Sequence, residues 1–360
     1  MYREGIDFNS QLQYRFKQDK WTAFAFGQYA YNHTNYRDPD FLNSTGGLND
    51  QYWMNVYSGG VTFSLKPMEK MRILLGADNT FSTVVSNKAS IRNTFRNDFK
   101  SMIGWNYSFW RMKIKANAVL TYIMDENDGV RTFEALKVNP YLSLGFYPFK
   151  KSLFHVRVFY KNRLRPPTMN EMYYNQVIKD VEPETAHQLN FGLSYRKKNW
   201  SFLKSFEIGM DFYKNWVRNK IVLIPTQNLF IWSVTNVGKT DITGLDFVFN
   251  LRTGGMKGIE FYFDLKYSLL VALDVTDSNS KTYQNQLPYI PRDNFSATFG
   301  MEFYGFGVSW AMIYGGERYA LAENIESNKL EDYFINDCSL YYKHKFIGSK
   351  NFLVEYRGLL

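Results

Sequence analysis

Apolar and polar residues take turns with a period of two along nearly the whole of this chain, and few folds accommodate that. In "EPETAHQLNFGLSYRKKNW", Leu189, Phe191, Leu193 and Tyr195 fall on one side and Gln188, Asn190, Gly192, Ser194 and Arg196 on the other. That is a strand whose two faces meet different surroundings. The N-terminal segment sets Ile6, Phe8, Leu12, Tyr14 and Phe16 against Asp7, Asn9, Gln11, Gln13 and Arg15. The phase returns in Phe206, Ile208, Met210 and Phe212, in Leu245, Phe247, Phe249 and Leu251, in Phe261, Phe263 and Leu265, and in Phe295, Ala297, Phe299, Met301 and Phe303. One such strand fits any sheet lying on a soluble core. A chain built of little else is all-β.

About sixteen strands are expected, with connections that alternate in length. Tight turns fall at "KQDK" (17–20), "KPMEK" (66–70), 107–110, "PFKKS" (148–152), "KKNWSF" (197–202), "TGGMKG" (253–258), 304–305 and "GSKN" (348–351). Long polar loops are expected at about 32–51, 81–94, 124–137, 162–186, 219–235, 273–293 and 316–332. Strict alternation puts every tight turn at one end of the strands and every long loop at the other. An up-and-down antiparallel meander follows, which at this strand number is expected to close into a barrel.

Many strands reach ten residues, enough to cross a bilayer at a tilt. The apolar face is then the lipid face. Trp and Tyr crowd the strand ends, as at Trp21, Tyr29, Trp53, Trp105 and Trp110, where amphipathic rings meet headgroups. An aromatic share of 18% with negative mean hydropathy describes a chain rich in rings but not greasy. No run approaches the roughly 20 apolar residues of a spanning helix. The net charge of +9 sits mostly as Lys in the tight turns, while Asp and Glu gather in the long loops. It reads as a solvated rim, and no nucleic-acid partner is expected. Cys338 is the sole cysteine, which excludes an internal disulfide and a cysteine metal cluster. The first residues carry no signal-peptide pattern, and no linker marks a second domain.

Enzyme templates fail in turn: there is no Gly-x-Ser-x-Gly, no His-Glu-x-x-His and no phosphate-cradling glycine loop, and the four histidines lack ligand spacing. No catalytic residue, metal or cofactor is assigned. Asp125, Glu126 and Asp128 with Gly129 have the oxygen chemistry of a calcium loop but not the EF-hand register, and read as a solvated loop.

Four ordered segments carry a family resemblance. "LRPPTMNEMYY" (164–174) resembles the Arg-x-Pro-Thr-x-x-Glu-hydrophobic-Tyr loop of TonB-dependent outer-membrane receptors, and "VEPETAHQLNFGLSY" is similar to the Pro-Glu segment that follows it. "TNVGKTDITGLDF" resembles the family's Asn-x-Gly and Gly-x-Glu run, with Asp246 in place of Glu, and "LPYIPRDNF" its Pro-Arg strand entry. The resemblance implies a barrel of about 22 strands. Residues 1–360 are then expected to be an incomplete barrel domain, lacking the plug, the first strands and the last strand. It also implies the Gram-negative outer membrane, with lipid, the chain's own N-terminal plug, the TonB complex and an occasional surface lipoprotein as partners. The implied function is import of a scarce bulky nutrient of siderophore-iron, cobalamin or glycan type, driven by TonB. Arg163, Arg165, Asn170, Glu171, Tyr173 and Tyr174 are the candidate ligand-binding loop residues, and Asp211, Asp246, Asp264, Lys266 and Glu302 are read as facing a wet lumen. The alternatives are a passive 16-stranded porin and a soluble β-rich carbohydrate-binding protein.

Overall fold

The computed structural model describes residues 2–40, 47–88, 91, 93–149, 153–173, 181–225, 232–255, 258–345 and 353–359. Its main sheet has sixteen strands paired in chain order: β1 (Tyr2–Lys17), β2 (Trp21–Asp38), β3 (Leu48–Met68), β4 (Met71–Ser86), β5 (Asn93–Phe109), β6 (Met112–Asn127), β7 (Val130–Phe146), β8 (Phe154–Arg165), β9 (Glu184–Trp200), β10 (Leu203–Pro225), β11 (Trp232–Thr253), β12 (Ile259–Asp274), β13 (Asp293–Phe303), β14 (Phe306–Gly315), β17 (Tyr333–Lys345) and β18 (Leu353–Leu359). A two-residue ribbon, β15 (Arg318–Tyr319) with β16 (Lys329–Leu330), decorates the connection before β17. Among the described residues no helix is long and apolar enough to cross a membrane. The meander expected from the alternation is present.

The register explains the two faces. Across β11, β12 and β13, Phe247 lies opposite Tyr267, Leu251 opposite Phe263, Phe263 opposite Phe299 and Leu265 opposite Ala297. One residue out of phase, Asp246 meets Ser268, Asn250 meets Asp264, and Lys266 meets Ser296. Phe191, Phe261, Phe299 and Trp310 are exposed on the apolar face. Cys338 lies opposite Trp310 on that same face.

The connections depart from strict alternation. The loop expected over 124–137 does not exist: β6 passes to β7 through Asp128 and Gly129 alone, with φ of 50° and 78°. Two positive φ values in a two-residue loop match the strand twist, and Asp-Gly is the residue pair that supplies them. Asp125 is no loop residue either, since it is fully buried beside Arg96, and Glu126 points to the other face opposite Phe95. Several long loops are also shorter than expected because strands run on into them, whereas 316–332 stands as expected between β14 and β17 and 273–293 nearly so. β3 has 21 residues and β10 has 23, about twice what a tilted strand needs to span hydrocarbon. The described tight turns stand where the spacing put them, whereas 150–152, 256–257 and 348–351 fall wholly or mostly outside the described residues.

The chain divides into two compact units. Unit 1 comprises 1–143, 161–185 and 221–236; unit 2 comprises 144–160, 186–220 and 237–360. Unit 2 pairs tyrosine with glycine on its polar face. Tyr262 stands opposite Gly300, Tyr341 opposite Gly307 and Tyr333 opposite Gly315. A Cβ added at Gly300 would collide with the Tyr262 ring, and one at Gly244 with the Tyr213 ring. Only glycine leaves room for the ring.

Candidate functional site

In unit 1 the β8 strand stops at Pro166-Pro167, because proline cannot continue the ladder, and Pro167 is fully buried. The next residues form α1 (Met169–Tyr173). Thr168 Oγ1 accepts the Glu171 N–H at 3.1 Å, and Glu171 Oε2 accepts the Thr168 N–H at 2.8 Å. This reciprocal capping box satisfies two amides that a helix start leaves unpaired. The "PTMNE" spacing carried that signal, and the sequence reading missed the helix because a single turn has no periodicity.

Arg165 stands between two carboxylates. Its Nη2 donates to Glu171 Oε1 at 2.5 Å, and its Nη1 lies 3.9 Å from Glu184 Oε2. Glu184 is buried and accepts the Ile221 N–H at 3.3 Å. Burial works to raise the Glu171 carboxyl, but the Thr168 N–H and the Arg165 guanidinium outweigh it and hold it below its ordinary value.

Met169 and Met172 of α1 pack, as do Tyr52 and Met54, against Val84 and Ile91, so the loop folds down on the polar face of β3 and β4. Met172 Sδ lies 3.6 Å from Arg96 Nη2, and Arg96 grips Asp125 through two bonds of 2.6 Å. Two motif segments also meet here. The Glu182 N–H donates to Asn236 Oδ1 at 2.9 Å while Asn236 Nδ2 donates to the Glu182 carbonyl at 3.1 Å, beside the Val181, Ile221 and Val234 cluster.

Among the candidate loop residues, Arg163 is exposed, and Arg165 and Glu171 bind each other. Only the backbone of Asn170 and Tyr173 is described, in α1, and Tyr174 lies outside the described residues. The polar residues of unit 2 form separate charge pairs. Arg157 bonds Asp211 and Arg252 bonds Asp264, each at 2.6 Å, with the Arg252 guanidinium over the Tyr262 ring at 5.0 Å. Ser268 donates to Asp246 at 2.6 Å, Tyr341 and Lys343 both donate to Glu302, and Lys266 is exposed. No group of three metal-ligating side chains converges among the described residues. The arrangement offers fixed polar contacts held strand to strand.

A family profile described as TonB dependent receptor-like, β-barrel, matches residues 2–356. No curated protein matches the sequence. Among solved structures, the FrpB iron transporter from Neisseria meningitidis superposes with a TM-score of 0.70 at 13% identity, over 95% of this chain and 56% of that one. The ferric yersiniabactin uptake receptor FyuA from Yersinia pestis gives 0.71 at 15% identity, over 95% and 54%. The siderophore receptor PiuA from Acinetobacter baumannii gives 0.71 at 11% identity, over 98% and 60%. The chain therefore spans little more than half the length of the structures it resembles.

Proposed function

Since the chain belongs to the TonB-dependent receptor-like β-barrel family, we propose that it is barrel wall of an outer-membrane receptor of a Gram-negative bacterium that imports a scarce, bulky nutrient with energy relayed by TonB. The ordered family match over residues 2–356 carries this reading. The two-faced sheet is consistent with it, one side suited to lipid and the other to a wet lumen. It is a transport reading, not an enzymatic one. The remainder of such a protein would supply the plug, the TonB-contacting segment and the other strands. A passive porin or a soluble sugar binder is not carried further, because neither belongs to this family.

Within the three ligand classes we favour a metal chelate of siderophore-iron type, because the similar structures are named as an iron transporter, a ferric yersiniabactin uptake receptor and a siderophore receptor. Arg165 and Glu171 would position the loop, and Arg163, Tyr173 and Tyr174 would present contacts to the ligand. Asn170 would share the contact from α1. Asp211, Asp246, Asp264, Lys266 and Glu302 would line the route or meet the plug. The test is uptake by cells carrying the intact receptor or its deletion, with labelled ferric chelates, cobalamin and oligosaccharides supplied in turn. Loss of ferric-chelate uptake on deletion, abolished equally by removing TonB, is expected. Uptake that survives loss of TonB would refute active transport.

A further inference from the structure

The apolar face of unit 1 carries a groove of about 520 Å³, floored by Ala23, Ala25 and Ala77 and walled by Tyr14, Phe63 and Leu75. Direct cross-strand pairing puts all six on one face: Tyr14 opposes Ala25, Ala23 opposes Phe63, Phe63 opposes Leu75, and Val61 joins Ala25 to Ala77. At the tight-turn end the groove reaches a ring cluster, with Phe16 5.1 Å from Trp21 and Trp21 5.6 Å from Phe63. Beyond the rings two turns abut, the Lys66 N–H donating to the Lys20 carbonyl at 2.6 Å. They hold Lys17, Lys20, Lys66 and Lys70, all exposed, against Asp19 and Glu69.

We propose that this groove holds an acyl chain of an acidic glycerophospholipid whose phosphate rests on those lysines. The chemistry matches in sequence along the strand: apolar channel, aromatic band at headgroup depth, then cations. From Trp21 to Ala23, where the groove floor begins, is about 7 Å at the rise of a strand, so the band separates lysines from channel by about one side chain's reach. A second copy is a poorer occupant, because two-fold pairing across this face would set the same lysines against each other. The inference rests on the apolar face meeting hydrocarbon.

The test uses the intact outer-membrane protein carrying this chain, equilibrated with vesicles of phosphatidylglycerol and phosphatidylcholine, extracted in mild detergent and weighed by native mass spectrometry. Preferential retention of phosphatidylglycerol is expected. Ala25→Phe fills the groove and should abolish it while heat-modifiable migration, the sign of a folded barrel, stays unchanged. Replacing Lys17, Lys20, Lys66 and Lys70 by Gln should lower the preference about fivefold for each lysine on the phosphate, leaving phosphatidylcholine retention as it was. Undiminished phosphatidylglycerol in Ala25→Phe, an unchanged preference in the lysine variant, or a dimer that Ala25→Phe dissolves would each overturn the proposal. If Phe299→Arg is tolerated as well as Thr298→Arg, the membrane placement fails instead, a result separate from loss of the groove.

Discussion

Tyr262 and Gly300 show how tightly single positions are determined. The ring occupies the space a Cβ would need, and Arg252 above it limits where the ring can go. Gly300→Ala is expected to cost about 1–3 kcal/mol, as overpacking does, and Tyr262→Ala in the same chain should recover part of that. A double-mutant cycle of reversible folding into bilayers measures the coupling; strict additivity would contradict the contact. One position away the faces themselves can be tested. Phe299 is exposed between Phe263 and Trp310, whereas Thr298 lies opposite Asp264. Phe299→Arg should cost about 2–4 kcal/mol if it lies near the bilayer midplane, and Thr298→Arg clearly less. Face assignment was legible from period two alone, because alternation fixes direction without any knowledge of partners. The Arg96–Asp125 pair was not, since its members lie 29 residues apart on separate strands and no single-strand pattern links them. Asn190 belongs with these: its polar-face side was legible, but not that it is buried, and a bulky substitution there would meet packed neighbours rather than open water.

At the scale of elements, α1 depends on its capping box. Thr168→Ala removes the acceptor for the Glu171 amide and should weaken the turn by about 0.5–2 kcal/mol, seen as faster hydrogen exchange at residues 168–173. The same turn should respond to acid. Because Glu171 is held below its ordinary value in the folded loop, its contribution is complete above the ordinary glutamate range and is lost as pH falls through the depressed folded value. Exchange at 168–173 should therefore accelerate in that acid window in the parent protein and much less in Glu171→Gln. Equal acid sensitivity in both would remove Glu171 from the account. Tight turns were readable from Gly, Lys and Asn punctuation between alternating runs. The β6–β7 turn was lost although Asp128-Gly129 is a strong hairpin signal, because the acidic residues around it resemble a solvated loop. Burial by a distant strand, not local composition, decided where Asp125 went.

For the whole molecule, chain-order pairing sorts the connections to two ends. Tags in the intact receptor at 276–284 or at Asp128-Gly129 should be labelled on whole cells, and tags at 69–70 or 201–202 should not. Labelling of all four would refute the topology. That sorting was legible because it needs only the order of strands and turns, while the long strands that shorten several of the outer loops were hidden by their polar tips. The tyrosines over Gly244, Gly300, Gly307 and Gly315 add a mechanical consequence. Each ring reclines over a glycine on the neighbouring strand, and a cation covers three of the four: Arg252 over Tyr262, Arg318 over Tyr333 and Lys343 over Tyr341. The aromatic layer is thereby clamped between backbone beneath and charge above, like a gasket whose rings cannot lift without breaking both contacts.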